Sequence, residues 1–486
     1  MTGSVRAILV GVIVLGLAGW VVAQEPARLA APSPTTTVYD PDPDHPFNLV
    51  HAALFLRVGP DGKIYGEDRL DPLLWAASTH LDEGEPGHDA ALAALEALDR
   101  RMRDDPVADP LRRALLQRDL WLVTNWLAAD EPERTSTLGL ALAKAIRHVA
   151  LTGEQIAALP DNYRLAVDSG RFAKAFDPAR PEASYLPPGL LTDDGPWVGL
   201  GRFDVPVPNF HVDERGGNRS TNSVFMTRIK HPAGRAAGEA WIATIAASKE
   251  PLLLVDPADT SERRPQLPNP ALPELPVGTE FALVRRALLI DTTGRVVASP
   301  LTESVQVRVT RQDARDFLAG VTDFSFGRGA VPVGGSRSSA ARGFAGQSYL
   351  EFVLGRRALL AGEAGGLRDV SAVGDFHNGF RAHAADQFHL DTPSPFPHGL
   401  LEVARRRSCL ECHYTPGVHG VQTIEPLYDW EELKAYVDEE GRQTLPSPRY
   451  NVRATTVGQE EAATVAWKVK QPATAALLTA VSTASP

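Results

Sequence analysis

The sequence predicts an α+β protein of several domains: an N-terminal helical bundle, a central domain built on an antiparallel sheet, and a small, mostly helical or irregular C-terminal region. Three observations carry this. Residues 47–166 repeat apolar side chains at helical intervals, residues 195–367 alternate apolar and polar positions around a hairpin signal, and the chain from 369 is irregular and histidine-rich before a last helical stretch. A length of 486 residues allows two to four domains. An apolar content of 43% with 22% charged residues is that of a globular chain able to fill its cores.

Residues 1–23 read as a secretory signal: Arg6 is the only charge, Ala7 to Val22 is apolar, and Val21-Val22-Ala23 offers a small-residue cleavage site. The same run, residues 7–22, is long enough to be kept as a membrane anchor, and no later segment is apolar enough to span a bilayer. Residues 24–46, rich in Pro, Thr and Asp, read as a linker without packed structure. In the helical segment, Ala90 to Leu98 is strong helix former, Leu111, Leu115, Leu122 and Trp126 recur on one face, and Thr137 to Leu151 repeats the pattern. Four or five helices are expected, with Trp121 and Trp126 in the core and Met102 on a charged surface. His80, His88 and His148 read as surface or packing residues.

Ser223 to Ile229 alternates as a strand, and Arg235 to Ser248 reads as an amphipathic helix. Phe281 to Ile290 and Arg295 to Val309 flank Asp291-Thr292-Thr293-Gly294, a hairpin turn, and Tyr349 to Leu360 reads as a further strand. Residues 327–346, rich in Gly, Ser and Arg, have no phosphate-loop pattern. In the last region, 369–486, a helix is expected from Gln459 to about Val481, broken at Pro472, which lacks a backbone N–H.

The chain has two cysteines, and both stand in Cys409-Leu410-Glu411-Cys412-His413. On a helical turn Cys409, Cys412 and His413 share one face, so two thiols reach one edge of a ligand while the imidazole reaches its centre. This C-x-x-C-H run resembles the haem-attachment motif of c-type cytochromes, over these five residues only. The resemblance implies one covalent haem c, with thioethers at Cys409 and Cys412 and iron ligation by His413. It makes residues 369–486 the haem-binding region and suits export, because attachment by this motif is completed outside the cytoplasm in those families. Arg405, Arg406 and Arg407 precede the motif and suit the haem propionates, since guanidinium pairs bidentately with carboxylate.

Three other readings fit the pair of cysteines: a thioredoxin-like redox pair, a zinc site from Cys409, Cys412, His413 and His419, and a disulfide in an exported binding protein. The residues before Cys409 do not form the buried strand a thioredoxin-like site needs, and the zinc spacing is cramped. The methionine that many c-type cytochromes place after the motif is missing here, because Met1, Met102 and Met226 all precede it. The sixth ligand is then His419 first, which follows His413 past Pro416 and Gly417. The other candidates are His377, His383, His389, His398 or Met226, or an open iron face.

The expected function is electron transfer by an exported, periplasmic monohaem protein with a redox partner protein. An open iron face would instead favour a peroxidase- or oxidase-type haem enzyme. Removing residues 1–23 removes Arg6 and no acid, taking the formal charge from −11 to −12. That acidity excludes nucleic acid and suits a basic partner; a membrane enters only if the N-terminal segment is retained.

Overall fold

The computed structural model describes residues 34–58, 64–68, 80–127, 136–201, 222–248, 271–313, 346–372 and 452–484, Gly417, and the backbone of six short strand segments between 252 and 444. Mixed helix and sheet are confirmed, with one seven-stranded antiparallel sheet as the largest element.

Among the described residues, six helices precede the sheet in the chain: α1 Pro46–Phe55, α2 Pro86–Asp104, α3 Pro110–Leu127, α4 Thr137–His148, α5 Gly153–Ala157 and α6 Asn162–Asp168. Proline stands in the first turn of α1 and α2, where its missing N–H costs nothing. Side-chain oxygens of Ser136, Thr152 and Asp161 accept from the first-turn amides of α4, α5 and α6. A short ribbon, β1 Arg57–Val58 with β2 Ile64–Tyr65, follows α1.

The sheet strands are β3 Val198–Gly201, β4 Ser223–Lys230, β7 Glu280–Ile290, β8 Val296–Thr310, β9 Gln347–Leu354, β10 Leu367–Asp369 and β15 Arg453–Thr455. Between them lie α7 Arg235–Ala247 and α8 Arg356–Leu360, and after β15 come α9 Val457–Lys468 and α10 Pro472–Thr483. The small pairs are β5 Leu252–Leu254 with β6 Gln266–Pro268, β11 Gly374–Asp375 with β12 Val403–Ala404, and β13 Tyr436–Val437 with β14 Gln443–Thr444. The order across the large sheet is β10-β9-β8-β7-β4-β3-β15.

The expected hairpin is β7–β8. Asp291 Oδ1 accepts from the amides of Thr293 at 2.9 Å and Arg295 at 3.0 Å, which fixes the turn between the strands. The turn docks on the helical layer through Thr292 N to Leu151 O at 2.9 Å. Arg285 pairs with Ser304 and Arg286 with Thr302, so Glu303 is skipped in the ladder at an irregularity.

One apolar cluster unites the two layers. Leu98, Trp121, Leu142 and Ile146 of the helices share it with Met226, Val284, Val305, Val307, Leu350 and Phe352 of the sheet. A helix and a sheet each bury one apolar face, and here they bury them against each other rather than in separate cores. A second cluster seats Trp241, Ile242 and Ile245 of α7 on Val198, Leu200, Ile229 and Phe281.

Three sequence expectations change. Residues 36–40, placed by composition in a linker, are packed: Thr36, Val38 and Tyr39 are buried, and Tyr39 N donates to Asn48 Oδ1 at 2.9 Å. Met102, expected on a charged surface, is buried on the apolar stripe of α2 while Arg101 and Arg103 point outward. Of the run from Tyr349 to Leu360, only the first part is strand; α8 takes the rest. The break at Pro472 is present, with α9 ending at Lys468 and Pro472 opening α10. Both helices and β15 are built into the large sheet and its core rather than standing apart, for Leu477 and Val481 join the main cluster.

Candidate functional site

Cys409, Cys412, His413, Arg405, Arg406, Arg407, His419, His377, His383, His389 and His398 lie outside the described residues, as do residues 1–33. Met226 is described. It sits on β4 opposite Val284, wholly buried in the main apolar cluster, which is a core role. Among the described residues no group of three or more His, Cys, Asp or Glu could hold a metal ion, and no helix is long and apolar enough to cross a membrane.

The fold nonetheless locates the motif-bearing stretch by its ends. The chain leaves the large sheet at β10, on one edge, and returns at β15, on the opposite edge. Six strand spacings of ~4.8 Å separate those edges, roughly 29 Å. On the way out, β11 and β12 pair Gly374 with Ala404 and Asp375 with Val403. The chain from 376 to 402 therefore begins and ends at one ladder, and Arg405 is the first residue beyond it. Four residues past His413, Gly417 has a φ of 79°, where a side chain would be strained. On the way back, Tyr436 pairs with Thr444 before β15 joins β3.

The described chemistry lies in two buried clusters of acids and arginines. The first joins α1, α3, α8 and the β7–β8 hairpin. Arg356 donates to Asp119 Oδ2 from Nε at 3.0 Å and Nη2 at 2.8 Å, and Tyr39 OH donates to the same oxygen at 2.9 Å. Arg118 Nη1 reaches Asp119 Oδ1 at 3.2 Å, and its Nε donates to Glu303. Ser223 also donates to Glu303, and Arg285 Nη2 lies 3.5 Å from it. Arg118, Asp119, Glu303 and Arg356 are all within 1% of complete burial.

Burial opposes the charge on Asp119 and Glu303, but the adjacent arginines outweigh it and hold both carboxyls below the usual carboxylate range. His51 Nε2 donates to the Glu67 carbonyl at 2.8 Å, and burial followed by the Arg356 charge pushes the imidazole down to about 3. It is neutral at every physiological pH. The ring stacks on Phe55, which Arg356 also covers. Such a cluster clamps helix to sheet. These four charged side chains are turned inward, to one another and to their neighbours in the core.

The second cluster lies where β15 and α9 rejoin the sheet. Glu460, on α9, is buried and accepts from Thr455 Oγ1 at 2.7 Å, while Arg228 Nη1 of β4 stands 3.8 Å away. Arg228 is fully buried; Nη2 donates to Thr192 O at 3.2 Å, while Nε and Nη1 make no hydrogen bond within the described residues. Burial pushes the Glu460 carboxyl up to about 7, over the opposing pull of Arg228 and Thr455.

Neither cluster was singled out from the sequence. The signal for the first was present: Gln117-Arg118-Asp119 interrupts an apolar run from Ala114 to Val123 in the middle of a helix. Three polar residues at that place must be partnered or they would break the core. For Glu460 no such signal exists, because Glu460 and Glu461 read as an ordinary acidic first turn.

No protein-family model matches the chain, and it matches no curated protein and no solved structure.

Proposed function

We propose that this chain is an exported single-haem protein that transfers electrons through a haem c held by Cys409, Cys412 and His413. The observation that carries the reading is the run Cys409-Leu410-Glu411-Cys412-His413, which contains both cysteines of the chain. Two thiols and an imidazole at that spacing suit two vinyl groups and one iron position. The haem supplies one-electron chemistry, and its potential follows from the axial ligands and their surroundings.

The roles of the chain's own residues follow from their chemistry. Cys409 and Cys412 anchor the ring edge, and His413 offers a neutral nitrogen to the iron. Arg405, Arg406 and Arg407 offer guanidinium donors to the propionates. His419 is the first choice for the opposite position. The acidic chain, at −11, suits a basic redox partner protein.

The test is a haem-stained denaturing gel with a pyridine haemochrome spectrum, on protein exported from a host with c-type maturation. Haem that survives denaturation, and is lost in the Cys409→Ala, Cys412→Ala double variant, supports the reading. Export without retained haem sinks it. A high-spin spectrum that responds to cyanide and carbon monoxide would keep the haem and move the function to an enzyme.

A further inference from the structure

Strand residues alternate between the two faces of the large sheet. One face of β7, β8 and β9 carries Val284, Val305, Val307, Leu350 and Phe352 and closes on the helical layer. On the other face, Ile229, Phe281, Arg308 and Tyr349 stand side by side in one row across β4, β7, β8 and β9. The next row holds Thr227, Leu283, Gln306 and Glu351. α7 seats on Ile229 and Phe281, at the apolar end of the first row. The end formed by β8 and β9 is polar. There the Arg308 guanidinium lies 5.3 Å from the centre of the Tyr349 ring, and Tyr349 OH donates to Glu351 Oε2 at 2.6 Å.

A polar sheet face that met water would be open to it. Tyr349 is 1% exposed, and Arg308 and Glu351 are 3% exposed each. Yet among the described residues no apolar cluster joins a helix to this face of β8 or β9. Arginine and glutamate are buried only where charged or polar groups meet them, so the cover is itself polar. The route of the chain narrows what that cover is. Residues 314–345 join neighbouring strands whose ends are already together, with Arg311 N donating to Gly346 O at 2.8 Å, and have no sheet to cross. Residues 405–451 do have one. Gly374 of β11 comes five positions after β10 and pairs with Ala404, and the chain next joins the large sheet at β15, on the far edge. The helical layer fills one face, which leaves the polar face for the crossing. Cys409 to His413 lie five to nine positions past Ala404. That is a reach of at most ~30 Å, on the side of the sheet where β10, β9 and β8 are neighbours.

We propose that the polar face of β8 and β9 is the seat of residues 405–451, the stretch that carries Cys409, Cys412 and His413. Seat and stretch each bring both signs of charge. Glu351 offers a carboxylate to Arg405, Arg406 or Arg407, and Arg308 offers a guanidinium to Glu411. Seated there, the motif rests on the most extensively paired part of the sheet, held by side chains other than its own cysteines and histidine. This goes beyond the haem reading, and the two fail separately. Retained haem reports on Cys409 and Cys412, whereas the seat is read by contact.

Photo-crosslinking on the full chain tests this, with p-benzoylphenylalanine in place of Gln306, a half-buried residue of the same face. Illumination should join that position to peptides from 405–451, mapped by mass spectrometry after digestion. Cross-links to 314–345 instead, to a second copy of the chain, or none at all in a folded protein, overturn the proposal. If the labelled chain does not fold, Arg308→Gln replaces it in a trypsin time course. Losing one buried ionic contact should speed cleavage after Arg405, Arg406 and Arg407 by about tenfold or more, with cleavage after Arg328 and Arg337 unchanged. Unchanged cleavage after the three arginines, or equal acceleration at both sets of sites, is an equally clear refutation.

Discussion

Asp119 and Glu460 are both buried carboxyls beside a buried arginine, yet they are displaced in opposite directions. Burial pushes both up. Asp119 receives two hydrogen bonds from Arg356, one from Arg118 and one from Tyr39. Glu460 receives one, from a neutral hydroxyl, and its arginine stands 3.8 Å away. Proximity to a cation does not by itself keep a buried acid ionised; donors aimed at its oxygens do. Asp119 has four such bonds from Arg356, Arg118 and Tyr39, whereas Glu460 has one, from the Thr455 hydroxyl.

The comparison is broken most directly at Asp119. Asp119→Ala leaves Arg118 and Arg356 buried with their principal anion gone, and should cost about 3–5 kcal/mol in denaturant unfolding. The acid limb should change too. A lowered carboxyl contributes stability that is full above its unfolded value and lost as pH falls, so the variant should unfold less steeply below about pH 4. A cost below 1 kcal/mol would mean the cluster is not the clamp described above.

Glu460→Gln should act with the opposite sign. A raised acid contributes nothing below its unfolded value and costs stability increasingly up to its folded value, here about 7. The substitution should therefore be nearly neutral at pH 5 and stabilising by about 1–3 kcal/mol at pH 8. Equal effects at the two pH values would erase the contrast with Asp119. Tyr39→Phe removes one donor from Asp119 and should cost about 1.5 kcal/mol, showing in thermal melts that residues 36–40 belong to the folded body. Thr455→Val should cost least, about 1 kcal/mol, and more where Glu460 is ionised, because the Thr455 hydroxyl pulls that carboxyl down, as unfolding curves on either side of neutral pH would show.

Legibility from sequence followed the range of the interactions. The β7–β8 hairpin, α7 and the break at Pro472 were readable because their causes are local: an Asp-to-Gly turn, a helical period, a missing N–H. Tyr39 was hidden by its Pro- and Thr-rich neighbours, since its partners Asn48 and Asp119 lie nine and 80 positions away. Met102 was hidden by the arginines around it, which share its helix but not its face. The shared core and the position of β15 depend on pairings across more than 200 residues, which composition and periodicity do not encode. For the candidate site the balance is reversed. Cys409, Cys412 and His413 are recognised from sequence alone, and the fold adds where their stretch leaves and rejoins the sheet.

That route has a kinetic consequence. Leu200 and Ala454, paired across the last two strands, are 254 positions apart, whereas Ile290 and Val296 of the hairpin are six apart. Closing the longer loop carries the larger entropy loss and rewards it with three residue pairs. In a chain made from its N-terminus, α1 to α8 and the other six strands of the large sheet are all available before β15 emerges. One edge of the large sheet therefore stays open until its last strand arrives, after the whole stretch between β10 and β15 has been made.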